Sequence, residues 1–181
     1  MEDLSLHILD VVENSLRAHA THIKILVNED IKKNQLIIEI EDDGEGMPVE
    51  LQEKVLDPFT TTKTTSRIGL GIPLFAQAAK MCDGDFDIWS QPGRGTKVRA
   101  MFQYNHIDRK PWGSMSQTLI TLIMGNPTVD FEYKHRRQGF SYHLDTREWK
   151  KELKDIPVNN PEVIKLIKKN LTENLAKIGI T

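Results

Sequence analysis

The stretch IEDDGEGMP, residues 40–48, sets the end of an apolar strand against an Asp-x-Gly-x-Gly turn running from Asp42 to Gly46. Ile40 closes the alternating series Leu36, Ile38, Ile40, which is the pattern of a half-buried strand. Glycines at 44 and 46 allow backbone conformations closed to other residues and let a ligand approach closely. An ionised Asp42 at the strand end only accepts hydrogen bonds, so it could accept from the exocyclic amine of adenine. The same letters also describe a plain acidic turn, since Asp-Gly is a common turn pair.

Working outward, THIKILVN places Ile23, Ile25 and Val27 on one face of a second strand, and residues 3–19 read as a helix with Asp3 at its N-cap. On the other side, PVELQEKVL starts a helix with proline at N1. Residues 56–68 are threonine-rich and aperiodic, which predicts a loop. LGIPLFAQAAKMC is an apolar helix ended by Gly84, and FDIWS and TKVRAMFQY are strands around QPGRG. The order α-β-β-α-loop-α-β-β, complete by Tyr104, predicts an α+β sandwich with helices on one face of a mixed or antiparallel sheet. NHIDRKPWG then reads as a connector and SQTLITLIM as a helix. TVDFEYK and GFSYHLD read as a hairpin around HRRQ, and a closing helix is capped by Asn160 with Pro161 at N1. Two parts are expected: residues 1–104, and an appended hairpin-plus-helices segment, 105–181. That segment offers a dimerisation or partner surface, or else only packs on the first part.

Composition narrows the function classes. With 181 residues, a net charge of −2 and mixed acids and bases, the chain shows no basic bias toward nucleic acid or a membrane surface. No apolar run approaches the roughly 20 residues of a membrane span. The single cysteine, Cys82, excludes an intrachain disulfide and fits a reducing compartment. The N-terminus MEDLSLH lacks the regions of a signal peptide, so the expected home is the cytoplasm.

Three further clusters could carry chemistry. Gly69 and Gly71 in RIGLGIP open the third helix, where unpaired N–H groups suit phosphate oxygens. No Gly-Lys-Ser/Thr follows, so this is not a Walker A loop. In DPFTTTKTTSR, Lys63 is a point charge on a flexible stem able to reach a terminal phosphate, or else a solvated loop lysine; Arg67 has the same two readings. This polar loop between two glycine-rich junctions is a candidate lid. In the first helix, LDVVENSLRAHAT (residues 9–21), a turn of about 100° per residue places Asp10 and Asn14 on one face and Glu13 off it. An amide oxygen beside a carboxylate suits Mg²⁺ and a polarised water. His7 and Arg17 extend the stripe and are read as part of a solvated polar face.

Taken together and in this order, LDVVENSLRAHAT, DDGEGMP, DPFTTTK and GLGIPLFAQAAKMCDGDFDIWSQPGRGTKV resemble the N box, first glycine box, F box and second glycine box of the GHKL ATPase superfamily over residues 5–104. ENSLRAHAT is most similar to mismatch-repair ATPases, whereas DPFTTTK, SQPGRGT and the short lid are more similar to the ATP-binding domain of histidine kinases. The resemblance implies a Bergerat sandwich and ATP with Mg²⁺ as ligands. It implies that Asn14 holds Mg²⁺, Asp42 reads the adenine amine, and Gly44 and Gly46 shape the purine pocket. Met47 and Leu70, inside the two glycine boxes, go with the nucleotide-binding set. Gly69 and Gly71 would stand beside the phosphates, Lys63 near the terminal one, and Thr96 at the adenine end. Asp10 occupies the place of a glutamate general base, one methylene shorter, in the ATP-hydrolysing branches.

The implied function is transfer of the terminal phosphate to a separate protein, as a stand-alone kinase in signalling. Its alternatives are an ATP-hydrolysing switch and a non-catalytic nucleotide-dependent regulator. The pattern begins at residue 3 and leaves no room before it for the phospho-accepting histidine hairpin of a complete histidine kinase, so an unidentified protein acceptor is expected.

Overall fold

The structure, a computed structural model, describes residues 3–56 and 70–180. In chain order its elements are α1 (Leu4–Arg17), β1 (His22–Asp30), β2 (Gln35–Asp42), α2 (Val49–Val55), α3 (Gly71–Lys80), β3 (Asp85–Gln91), β4 (Gly95–Gln103), α4 (Met115–Gly125), β5 (Asp130–Arg137), β6 (Phe140–Asp145), α5 (Thr146–Leu153) and α6 (Pro161–Lys177). The strands form one mixed sheet in the order β3-β4-β2-β1-β5-β6, antiparallel except where β1 meets β5.

Register follows from the apolar alternation. Ile25 pairs with Ile40 on one side and Tyr133 on the other, and Ile40 pairs with Val98, so the inward-facing side chains share one face. A slip of one residue would turn every one of them to solvent. Ile23, Ile25, Ile38, Phe102, Phe131 and Tyr133 are all at most 1 % exposed on that face, under the apolar sides of α1, α3, α4 and α6. Burying such a side chain contributes roughly 1.5–3 kcal/mol. The opposite face is charged and carries cross-strand pairs such as Lys24–Glu41 and Lys97–Glu39.

The hairpin after Tyr104 extends the same sheet: β5 pairs with β1 along its whole length, from His22–Asp130 to Glu29–Arg137. Its turn is Gln138–Gly139, with φ +48 and +82, rather than HRRQ, because His135, Arg136 and Arg137 remain in β5. Helix α5 was not expected: TREWKKEL has too few apolar residues to show a helical period. Asp145 starts it by accepting from Arg147 N. Pro48 is the N-cap of α2 rather than its first residue, and Asp3 caps α1 as expected, accepting from Leu6 N. His7 is not on a solvated face. It is 3 % exposed and stacks on Phe75 of α3 at 5.3 Å between ring centres. Cys82 is buried and free. No helix of the described residues is long and apolar enough to cross a membrane.

Candidate nucleotide site

The end of β2 delivers Asp42 next to Thr96, its register partner at the start of β4. The Asp42 carboxylate is 9 % exposed and is held from three directions. Oδ1 accepts from Gly44 N at 2.9 Å and Thr96 N at 3.2 Å, and Oδ2 accepts from Ser15 Oγ at 2.5 Å. These bonds keep the charge in place at the edge of a cavity of about 260 Å³. Val11, Ile40, Met47, Leu51, Ile72 and Val98 give that cavity apolar walls, and Asn14, Ser15, Arg17, Asp42 and Thr96 give it polar ones. Apolar walls with a few fixed polar groups are the usual form of a small-molecule site.

The turn after β2 closes the cavity by close backbone approach. Gly46 has φ +67, and a Cβ there would lie 1.9 Å from the carbonyl oxygen of Gln91. A Cβ on Gly44 would meet the Ala18 carbonyl oxygen at 2.7 Å. Met47 N donates to Ser90 Oγ at 2.8 Å, and Ser90 Oγ is also 2.8 Å from Thr96 Oγ1. Gln52 of α2 bridges the same region, donating from Nε2 to the carbonyls of Met47 (3.1 Å) and Ser90 (2.7 Å). Ser15, Gln52 and Ser90 are site residues that sequence reasoning missed. Ser15 had one available signal, its place beside Asn14 on α1.

Helix α1 brings Asp10 and Asn14 to the other end. Asn14 Oδ1 accepts from Arg17 Nη1 at 2.9 Å, and its Nδ2 is buried with no partner among the described residues. Glu13 is taken by Arg17 Nη2 at 3.0 Å and stays outside the cavity wall. Half-buried Asp10 touches the start of α3: a Cβ on Gly71 would lie 2.7 Å from Asp10 Cβ. Burial, and secondarily the charge of Glu13, pushes the Asp10 carboxyl up from its ordinary value, against an opposing pull from Arg17. Leu70, before α3, is 52 % exposed and outside the cavity wall. Lys63, Arg67 and Gly69 lie outside the described residues. Thus Asn14, Asp42, Gly46, Met47 and Thr96 line one cavity, Gly44 stands beside Asp42, and Asp10 and Gly71 abut at its α1–α3 side.

A model of the family described as histidine kinase-, DNA gyrase B-, and HSP90-like ATPase matches residues 2–106, which carry all of these groups. The chain belongs to that family. Among histidine kinase-, DNA gyrase B- and HSP90-like ATPases it is 33 % identical over 99 residues to the signal transduction histidine-protein kinase AtoS of Escherichia coli, a match covering 54 % of this chain and 16 % of AtoS. It is 27 % identical over 88 residues to sporulation kinase C of Bacillus subtilis, covering 49 % of this chain and 20 % of that one. The matched region is thus at most a fifth of either kinase. Its fold is similar to that of the N-terminal domain of a DNA repair protein, with a TM-score of 0.54 and 15 % identity over 80 % of this chain and 53 % of the other.

The donor set suits a nucleotide-bound magnesium ion. Asn14 would offer an amide oxygen and Asp10, on the same helix face, a carboxylate, and hard oxygen donors are what Mg²⁺ takes. The unpaired Asn14 Nδ2 is a donor, so it suits an oxygen acceptor and not the ion itself.

Proposed function

We propose that the protein binds Mg-ATP between Asn14 and Asp42 and passes the terminal phosphate to a separate protein. The observation that carries this reading is the Asp42 carboxylate, buried beside an apolar cavity and oriented by Gly44 N, Thr96 N and Ser15 Oγ. A carboxylate held this way reads an exocyclic amine and rejects a ring that presents an acceptor there. Asn14 would hold the magnesium through Oδ1, the atom now bonded to Arg17. Bound there, the ion would offset negative charge on the phosphates as the terminal phosphoryl leaves. In this reading Gly71 belongs to the phosphate end, together with Gly69 and Lys63, for which the sequence resemblance alone supplies the assignment. The likeness to AtoS and sporulation kinase C supports transfer to protein. Residues 105–181 supply the partner or self-association surface in this reading.

One observation favours a second reading, an ATP-hydrolysing switch. Asp10 sits against Gly71 with its carboxyl pushed up by burial, toward the range in which a general base works. Incubation of the full chain with γ-labelled ATP and purified candidate acceptors separates the two. Label on an acceptor supports the kinase. Free phosphate that disappears in Asp10→Asn supports the switch. Retained ATP with neither product leaves a nucleotide-dependent regulator, and no ATP binding overturns the site.

A further inference from the structure

On the open face of the sheet, away from the cavity, three adjacent strands converge four metal-ligating side chains. His22 comes from β1, Glu132 from β5, and His143 and Asp145 from β6. The pairings Lys24–Glu132 and Glu132–Asp145 put Glu132 at the centre, with His22 and His143 diagonal to it. Donor atoms of Glu132, His143 and Asp145 all lie within 4.8 Å of one another. His143 Nε2 is 3.2 Å from Glu132 Oε1, and His22 Nε2 is 3.7 Å from Glu132 Oε2. A tetrahedral ion with bonds of about 2 Å separates its donors by about 3.3 Å, close to the Glu132–His143 and Glu132–His22 spacings.

A simple cross-strand ion-pair network accounts for part of this arrangement. Arg147 Nη2 is 2.6 Å from Asp145 Oδ2 and 3.5 Å from Glu132 Oε2, so a guanidinium now bridges the carboxylates. The network leaves His22 Nε2 over, buried and without a hydrogen-bond partner among the described residues. His143, on a solvent-facing strand position, belongs to the network through Glu132 Oε1 and points its ring at the same carboxylate. Arg147 is 43 % exposed, and an ion would have to displace its Nε and Nη2 from the two oxygens of Asp145.

We propose that His22, Glu132, His143 and Asp145 form a binding site for a divalent transition ion of the zinc type, with Arg147 standing in for the cation when the ion is absent. Two imidazoles and two carboxylates suit Zn²⁺ and disfavour Mg²⁺, which prefers all-oxygen shells. The site would pin the β5–β6 hairpin to β1 at the residue whose N–H donates to Asp43 Oδ1, next to Asp42.

The test is calorimetric titration of Zn²⁺ into the chelator-treated full chain without nucleotide. One saturable site is expected. Its affinity should fall by about tenfold or more in Glu132→Gln and in His143→Ala. It should rise in Arg147→Ala, which removes the competing cation, and stay unchanged in His106→Ala, where the imidazole lies by Asp83 and Asp108 instead. Co²⁺ in place of Zn²⁺ should give the visible bands of a four-coordinate ion. Unaltered melting curves show that each variant is folded. No saturable binding overturns the site. So does wild-type affinity in folded Glu132→Gln or His143→Ala, or an affinity that does not rise in Arg147→Ala. Since no nucleotide is present, that failure would leave the ATP cavity untouched.

Discussion

Replacing Asp42 with asparagine changes one atom of the side chain and tests the nucleotide site directly. Asparagine keeps an oxygen to accept from Gly44 N and Thr96 N, the two backbone bonds that Oδ1 now holds at 2.9 and 3.2 Å. The turn and the β2–β4 register therefore survive. What changes is the Oδ2 edge, which becomes an amide donor. The Ser15 hydroxyl, now donating to it at 2.5 Å, can rotate and accept instead. The exocyclic amine of adenine cannot, so a charged hydrogen bond is replaced by two opposed donors. Losing a hydrogen bond to a charged group costs about 1.5–3 kcal/mol, and a buried donor left unpaired costs a further ~1–3 kcal/mol. A loss near 3 kcal/mol raises Kd about a hundredfold. Calorimetric titration of ATP into wild type and Asp42→Asn measures it, with a melting curve to confirm folding. An unchanged Kd in a folded Asp42→Asn protein would refute adenine recognition at Asp42, whatever the phosphate end does.

Two other outcomes follow from the packing. Gly46→Ala should lower stability by at least about 2 kcal/mol, since its left-handed φ of +67 is strained for alanine and its Cβ meets the Gln91 carbonyl. For a chain of this size that is a fall in Tm of roughly 4–8 °C. Gly93→Ala, with φ +76 and open space around the new Cβ, should cost only about 1–2 kcal/mol, and comparable Tm shifts for the two would refute the clash. Burial against Phe75 lowers the His7 pKa from 6.5 to about 4. The unfolded chain therefore binds more protons at this position between those values, and stability should fall as pH drops through that window, by about 3 kcal/mol in all. Denaturant unfolding at a series of pH values measures the slope. His7→Leu should flatten it, and an unaltered slope in that variant would assign the effect to another group.

The elements that the sequence shows clearly are those whose signal is local. Ile23, Ile25, Val27 and Leu36, Ile38, Ile40 alternate with the period of a strand, and the structure has β1 and β2 there. The Asp42–Gly46 turn is legible because close backbone approach leaves no room for side chains at Gly44 and Gly46. Asp10 and Asn14 share a face because helical spacing alone requires it. The boundary of the β5–β6 turn and the existence of α5 were not legible. Arg136 and Arg137 look like turn residues until their register with β1 is known, and α5 has only Trp149 and Leu153 to pack on the core behind its Asp145 cap, too few to show a period.

What the sequence by itself determined, then, is the order of elements, the strand faces, and the identity of the acid, the amide and the glycines expected around a nucleotide. The element order and strand faces rest on contacts between residues close in the chain, and the nucleotide assignment on the resemblance of motifs spread over residues 5–104. Only the tertiary structure decided how those groups are held. Ser15 and Asp42 are 27 residues apart, and Thr96 and Asp42 are 54 apart, yet both bonds orient one carboxylate. His7 reads as a solvated position on α1 until α3 lays Phe75 over it. His22 and Glu132 meet only because β5 returns parallel to β1. The physical reason is the same in each case: which distant element covers a side chain is settled by packing the shared core, and no local period records it.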